Sequence, residues 1–352
     1  MNRILIVRLG ALGDVVHAIP VAAALRRAFP AARIDWLVSA KYREILDLVP
    51  VIDRRLVIND RPSTGSGRAE PGGTSLLTAI RELRRSRYDI AIDLQGLIKS
   101  AVLARASGAP RVVGFSSRYA RERAARFFYT DAYDPGRGGL YDARETRHVV
   151  DINLGLLGVL GITAPAREFP IEAIDSDAAR SAREQAGGPY ALLNPGAAWP
   201  NKRWPPERLA AIATALRARH GLMSVVLWGP GEEALAAAVA AGANGAAVVS
   251  PKTTIADLVA LARRAALMVS GDTGPTHIAA ALGTPIVGIY GPTRPARNGP
   301  MSPLDVTVSR DRVCQCHHLR RCTLDRMCLL DIEVAEVLEA CERRLAPEAK
   351  RA

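Results

Sequence analysis

A chain of 352 residues is longer than one hydrophobic core commonly serves, so two domains are expected. Nearly half the residues are apolar, few are aromatic, and the formal charge is +12 with arginine well ahead of lysine. That excess points to an acidic partner (nucleic acid, anionic lipid or a phosphorylated substrate), unless it reflects only an arginine-rich composition. No run approaches the ~18 apolar residues of a membrane span. The opening Met1-Asn2-Arg3-Ile4-Leu5-Ile6-Val7-Arg8 returns to charge too soon for a signal peptide, so a cytoplasmic protein is expected, at most peripheral to a membrane.

Strand-like and helix-like patterns alternate along most of the chain, which implies parallel sheets covered on both faces. Ile4 to Leu9 reads as a first buried strand, followed by a helix from about Val15 to Phe29. Then come a strand from Arg33 to Val38 and a helix around residues 42–49, stopped by Pro50. Residues 60–74 read as a mobile loop by composition. A helix over 75–87, a strand over 89–93 and a further strand–helix pair lead to Gly114 and a basic segment at 115–126. A second series starts with a strand at Tyr190. It continues with helix 206–220, strand 224–228, helix 232–240, strand 247–249, helix 255–265, an apolar strand 265–269, helix 277–282 and strand 285–290. The pattern is α/β, two doubly wound halves split near residues 165–185, with a last helix over 332–345. In such sheets ligands bind at the carboxyl ends of strands.

Several motifs fall at those ends. Arg8-Leu9-Gly10-Ala11-Leu12-Gly13-Asp14 is a glycine-bearing turn, but not Gly-x-Gly-x-x-Gly, which makes a dinucleotide site a poor match. Asp14 is either a helix N-cap or a carboxylate able to accept a proton from a substrate hydroxyl. In Asn194-Pro195-Gly196-Ala197-Ala198-Trp199-Pro200-Asn201-Lys202-Arg203-Trp204, the adjacent Lys202 and Arg203 suit a diphosphate, and the two tryptophans argue against a merely solvated loop. Asp272 and Thr273 could hold sugar hydroxyls, while free N–H groups near Gly274 and His277 suit phosphate at a helix N-terminus. His277 could equally be a buried helix histidine. Arg294 and Arg297 lie in another strand-end loop. The run Arg111, Arg118, Arg121, Arg123 and Arg126, opposed only by Glu122, is either a solvated face or the partner of an anionic second substrate. Cys314, Cys316, Cys322 and Cys328, with His317 and His318 among them, crowd into fifteen residues without a Cys-x-x-Cys pair, so reduced thiols are favoured over a metal.

Three motifs resemble a known family. They are Gly13-Asp14 with His17 and Pro20; Pro195-Gly196-Ala197 followed by Lys202-Arg203-Trp204-Pro205; and Asp272-Thr273-Gly274-Pro275-x-His277 with Tyr290-Gly291-Pro292-Thr293. Over roughly residues 1–345 the chain is similar to the ADP-heptose-dependent heptosyltransferases of lipopolysaccharide inner-core synthesis, glycosyltransferase family 9. The resemblance implies a GT-B fold of two Rossmann-like domains facing each other across a cleft. Residues 1–170 would bind the acceptor and 185–330 the donor, and a C-terminal helix within 331–352 would pack back on the first domain. It implies an inverting, metal-independent transfer that needs no cofactor, from ADP-L-glycero-β-D-manno-heptose to Kdo-lipid A at the cytoplasmic face of the inner membrane. Asp14 would be the general base and Lys202 the cation on the departing diphosphate. Asp272, Thr273, Gly274 and His277 would contact the donor, Glu232 or Glu233 the ribose, and Lys252 and Thr253 the adenine side. Lys99 and Arg121 would meet acceptor anions.

The Asp93-x-Gln95-Gly96-Leu97-x-Lys99-Ser100 and Ala120-Arg121-Glu122 segments are similar to heptosyltransferase I, while the Pro195–Ala197 and Lys202–Trp204 stretch is closer to heptosyltransferase II. A related GT-B transferase or epimerase using another nucleotide sugar is the alternative. A nucleic-acid-binding protein is disfavoured, because no aromatic–basic platform or reading helix accompanies the charge. The sequence does not speak to oligomeric state.

Overall fold

The computed structural model describes residues 1–59, 73–136, 138–142, 144–317 and 319–346. Most of the loop read at 60–74, and His318, therefore lie outside the described residues. The chain divides into two units, Met1–Glu172 and Ala173–Ala352.

In the first unit, β1 (Arg3–Val7), β2 (Arg33–Ser39), β3 (Arg54–Ile58), β4 (Ile90–Asp93), β5 (Arg111–Phe115) and β6 (Asp131–Tyr133) form one parallel sheet in the order β3-β2-β1-β4-β5-β6. The central strands are buried almost end to end because helices cover both faces. The helices are α1 (Leu12–Val16), α2 (Ile19–Ala28), α3 (Glu44–Asp47), α4 (Leu76–Ser86), α5 (Ile98–Ala106) and α6 (Val149–Gly155). The single helix expected over 15–29 is two helices. Pro20 is the reason: it has no N–H to give a continuous helix, but it fits the first turn of a new one. α4 starts where the Ser75 side chain accepts the Thr78 N–H, and it stops at Arg87 in the left-handed region.

The second unit repeats the topology. Its strands are β7 (Tyr190–Asn194), β8 (Met223–Val226), β9 (Ala247–Val249), β10 (Leu267–Gly271), β11 (Ile286–Tyr290) and β12 (Val306–Ser309), in the parallel order β12-β11-β10-β7-β8-β9. The helices are α7 (Asp177–Ala186), α8 (Pro206–His220), α9 (Glu233–Gly242), α10 (Ile255–Arg264), α11 (Gly274–Ala281), α12 (Pro295–Asn298) and α13 (Val334–Leu345). α11 begins three residues before the expected His277, because Thr273 takes the extended N-cap conformation and Pro275 fits the first turn.

The last helix is built into the second unit. Val337, Ala340 and Cys341 of α13 are fully buried in the core of the second unit, with Leu209, Leu216, Val287 and Ile289. The approach to α13 is fastened there too: the Trp204 indole N–H donates to the Ile332 carbonyl at 3.0 Å, and Arg208 to that of Leu330 at 2.9 Å. Trp204 is thus a core anchor rather than a wall of the site.

Candidate functional site

Each sheet reverses its strand order once, between β1 and β4 in the first unit and between β7 and β10 in the second. At such a point the connections leave in opposite directions and open a crevice beyond the carboxyl ends of the strands. Several of the sequence-predicted residues gather into two clusters, one at each reversal.

In the first unit the centre is Asp14, in the first turn of α1. It is not the N-cap. It lies three residues beyond Ala11 and reaches back, its Oδ2 accepting the Ala11 N–H at 3.1 Å. Arg8 Nη2 pairs with Oδ1 at 2.8 Å and Arg121 Nη2 with Oδ2 at 2.8 Å. Burial alone would raise the Asp14 carboxyl, but the two guanidiniums outweigh it and hold the group far below the usual carboxylate range. The buried Arg8 also donates to the Leu94 carbonyl, which ties the end of β1 to the end of β4. Desolvation is the main cause lowering Arg8 to about 10, so it remains charged at neutral pH.

The β4 loop supports this arrangement. Asp93, fully buried, accepts the Gln95 N–H at 2.8 Å, the Ser100 hydroxyl at 2.8 Å and the Tyr129 hydroxyl at 2.7 Å, while Gln95 Oε1 accepts the Leu9 N–H at 2.7 Å. Gly96 has φ +69°, and a Cβ there would press on the Ala120 Cα at 3.1 Å. A glycine therefore lets residues 120–122 close over the loop, with the Glu122 N–H donating to the Gly96 carbonyl at 2.9 Å. That closure delivers Arg121 to Asp14. Lys99 stands exposed on the first turn of α5, beside Ile98, whose N–H donates to Glu122.

In the second unit the centre is Asp272, at the end of β10. Lys202 Nζ lies 2.6 Å from Oδ2 and 4.4 Å from the centre of the Trp199 ring, and His277 Nε2 lies 2.9 Å from Oδ1. Burial would raise this carboxyl as well, yet the bond from His277 and the Lys202 ammonium hold it far below its usual range. His277 is thus buried, with a carboxylate as the partner of its Nε2. A Cβ on Gly271 would stand 2.9 Å from the Lys202 carbonyl oxygen, so glycine lets the Pro200–Lys202 turn lie against β10. Asn194, at the end of β7, donates to Ser270 Oγ and Thr273 Oγ1, each at 3.0 Å. It bridges the reversal as Arg8 does in the other sheet.

The two cations expected side by side on a diphosphate diverge. Arg203 Nε donates to the Ala197 carbonyl at 2.9 Å and its Nη2 approaches Glu232 Oε1 at 3.9 Å. Glu232 turns inward, accepting the Gly229 N–H at 3.1 Å, whereas Glu233 is exposed at the start of α9. Lys252 and Thr253 sit in the loop between β9 and α10, outside either cluster. Thr273 holds the N-cap position of α11 without a side-chain cap bond. The Gly274 and Thr276 N–H groups are of the kind that bind anions, while Pro275 has none and the His277 N–H donates to the Thr273 carbonyl at 3.2 Å. All five cysteines are free, with Cys314 and Cys316 sulfurs 3.5 Å apart. Among the described residues, no group of three or more His, Cys, Asp or Glu is placed to hold a metal ion.

Arg8, Gln95 and Asn194 carry the geometry yet were assigned no role from sequence. Their signal was position: each stands at or just past the end of a strand flanking a reversal.

A family model described as glycosyltransferase family 9 (heptosyltransferase) matches residues 76–327. Lipopolysaccharide heptosyltransferase 1 of Pseudomonas aeruginosa is 30% identical over 355 aligned positions, covering 98% of this chain and 95% of that protein. The glycosyl transferase family 9 structure from Veillonella parvula superposes with a TM-score of 0.76 at 25% identity, covering 98% of this chain and 97% of that one. The structure of E. coli heptosyltransferase WaaC with ADP-2-deoxy-2-fluoro heptose gives a TM-score of 0.67 at 26% identity, over 87% of this chain and 92% of that one.

Proposed function

The chain belongs to glycosyltransferase family 9, the heptosyltransferases, and from that premise we propose that it moves heptose from ADP-L-glycero-β-D-manno-heptose to Kdo-lipid A, as heptosyltransferase I does. The transfer inverts the anomeric centre and uses no metal. The observation that carries this reading is the Arg8–Asp14–Arg121 cluster at a strand reversal, where an ionised carboxylate waits beside an exchangeable cation.

Asp14 takes the proton of the acceptor hydroxyl as that oxygen attacks the anomeric carbon and ADP leaves. Both of its oxygens are engaged in the free protein, so one partner must give way. Arg8 is sealed in, whereas the Arg121 side chain is 32% exposed. An acceptor carboxylate or phosphate draws Arg121 to itself, which binds the acceptor and in the same step leaves Oδ2 with the weaker Ala11 N–H partner alone. On the donor side, Lys202 and the N–H groups opening α11 meet the charge that develops on the diphosphate. Asp272, Thr273 and His277 hold the heptose, Glu232 the ribose, and Lys252 with Thr253 the adenine side. The basic leaving-group contacts supply the role a metal would otherwise fill.

A second reading, heptosyltransferase II, draws on Ala197 and Ala198, which offer no hydroxyl to the diphosphate. The test is incubation of the purified protein with ADP-heptose and either Kdo-lipid A or the same acceptor already bearing one heptose, read by mass spectrometry in the presence and absence of EDTA. Product from Kdo-lipid A, unaffected by EDTA, is expected. Product only from the heptosylated acceptor selects the second reading, and product from neither removes both.

A further inference from the structure

Apart from Lys99, which is expected at the acceptor, the first unit carries an outward face that the chemistry above leaves unused. On α5 the exposed positions are Ile98, Lys99, Val102 and Arg105, a spacing that lines one side of a helix. Ile98 is 42% exposed and Val102 39%. The 3-10 turn Arg123–Phe128 packs against α5 and presents Phe127 at 87% exposure beside exposed Arg123. On the other flank α4 is tied to α5 by Arg84, whose Nε donates to the Ala106 carbonyl at 3.2 Å. It presents Leu77 at 70% exposure with Arg81 and Arg85. A lone exposed leucine needs no explanation, but four large apolar side chains gathered among cations on adjoining elements do.

We infer that this face of α4, α5 and the Arg123–Phe128 turn docks the protein on an anionic phospholipid bilayer. The charge argues for that occupant. Arg81, Arg84, Arg85, Lys99, Arg105 and Arg123 are exposed here. Glu82, the one acidic residue on these elements, is engaged with Arg54, and Glu122, just before the turn, accepts the Ile98 N–H at 2.6 Å. A second copy of the chain would set these cations against one another. A nucleic acid would find no use for Leu77, Ile98 and Val102, which neither pair with phosphate nor stack on bases. A bilayer takes both kinds of group, with apolar tips below the headgroups and guanidiniums among the phosphates.

The location gives the face a purpose. Ile98 begins α5 just beyond β4, and Glu122 follows Arg121, so the patch borders the Asp14 cluster. Docking there would present a membrane-embedded acceptor to Asp14. That consequence rests on the proposed lipid acceptor, whereas the docking itself does not. Among the described residues no helix is long and apolar enough to cross a membrane, so attachment through these helices would be peripheral.

The experiment is flotation of the full chain with vesicles of phosphatidylcholine, with and without phosphatidylglycerol, beside the variant Leu77→Ser/Phe127→Ser and the variant Arg105→Ser/Arg123→Ser. The wild type should bind only the anionic vesicles, and added salt should weaken the binding. The apolar variant should lose at least about tenfold in affinity, and the arginine variant should lose its preference for the anionic lipid. All these positions are exposed, so melting temperatures should match the wild type. Turnover on detergent-dispersed acceptor should also persist in the apolar variant while falling on vesicle-embedded acceptor. Equal binding by wild type and variants, or no binding by the wild type, overturns the inference. So does a wild-type dimer that Phe127→Ser dissociates, which would make the face a contact between copies. Vesicle binding that follows this pattern without any heptose transfer would sink the proposed activity and leave the docking face standing.

Discussion

The Asp14 and Asp272 clusters are built to one plan and differ in one respect. Each sets a carboxylate between two cationic or hydrogen-bonding side chains at the strand reversal of a parallel six-stranded sheet. Around Asp272 both partners are interior, the Lys202 side chain 15% exposed and that of His277 8%. Around Asp14 one partner is interior and the other, Arg121, rides on a surface loop. A carboxylate locked on both sides is suited to the proposed role of Asp272, a fixed anchor for a sugar and for the cation beside it. One with a removable clamp can change its basicity when a ligand competes for the clamp, which is what a general base needs.

Replacement of each carboxylate's key chemistry tests that contrast most severely. Asp14→Asn keeps the shape and removes the base, so kcat should fall by about 10²–10⁴-fold, while affinity for ADP, measured by calorimetry, stays at the wild-type value. If ADP binding is lost as well, Asp14 is structural. Lys202→Met acts differently, because it leaves the Asp272 charge buried with one partner. Stability should drop by about 3 kcal/mol, as for broken buried ion pairs, and donor binding should weaken with it. Adding Asp272→Asn should restore most of the melting temperature and none of the activity. A Lys202→Met protein as stable as wild type would show that the pair is not the lock described.

The parallel architecture was legible because buried parallel strands read as continuous apolar runs, as in Arg3–Val7 and Leu267–Gly271. β3 was missed since Arg54 and Arg55 open it, and α7 since a polar helix with three buried alanines resembles a linker. The identity of the site residues came from motifs, but their pairing did not. Nothing in the chain's order announces that Arg121 reaches Asp14, because that contact depends on Gly96 letting a loop close from 107 residues away. Nor does it announce that adjacent Lys202 and Arg203 point to different carboxylates, which the Pro200–Lys202 turn decides. Pairing across strand reversals is tertiary information.

Acid should expose what the two clusters share. Both carboxyls are depressed in the folded state, so each contributes stability that is full above its unfolded pKa of about 4 and is lost as pH falls below it. Urea denaturation midpoints should therefore hold steady from neutral pH to about 5 and then decline. In Asp272→Asn the part of this decline due to Asp272 should disappear. An unchanged slope in that variant would mean that the carboxylate is not held as its partners imply.

Arg121→Ala gives the smallest effect and the finest discrimination. The residue is partly exposed, so its loss should cost less than about 1 kcal/mol of stability. Acceptor KM should rise severalfold with kcat near wild type if, as proposed, an anionic acceptor removes this arginine from Asp14 in any case. The pH profiles separate the alternatives. The acid limb of kcat/KM reports the free enzyme and that of kcat reports the complex. In the wild type, Asp14 is faced by Arg8, Arg121 and His17, and under the proposed mechanism it loses Arg121 once the acceptor binds. The kcat limb should therefore lie at higher pH than the kcat/KM limb. With alanine at position 121 the free carboxylate has already lost that cation, so its pKa rises and the two limbs should converge. Limbs that stay as far apart as in the wild type would mean that Arg121 never leaves Asp14, and the contrast between a locked and a releasable carboxylate would fail.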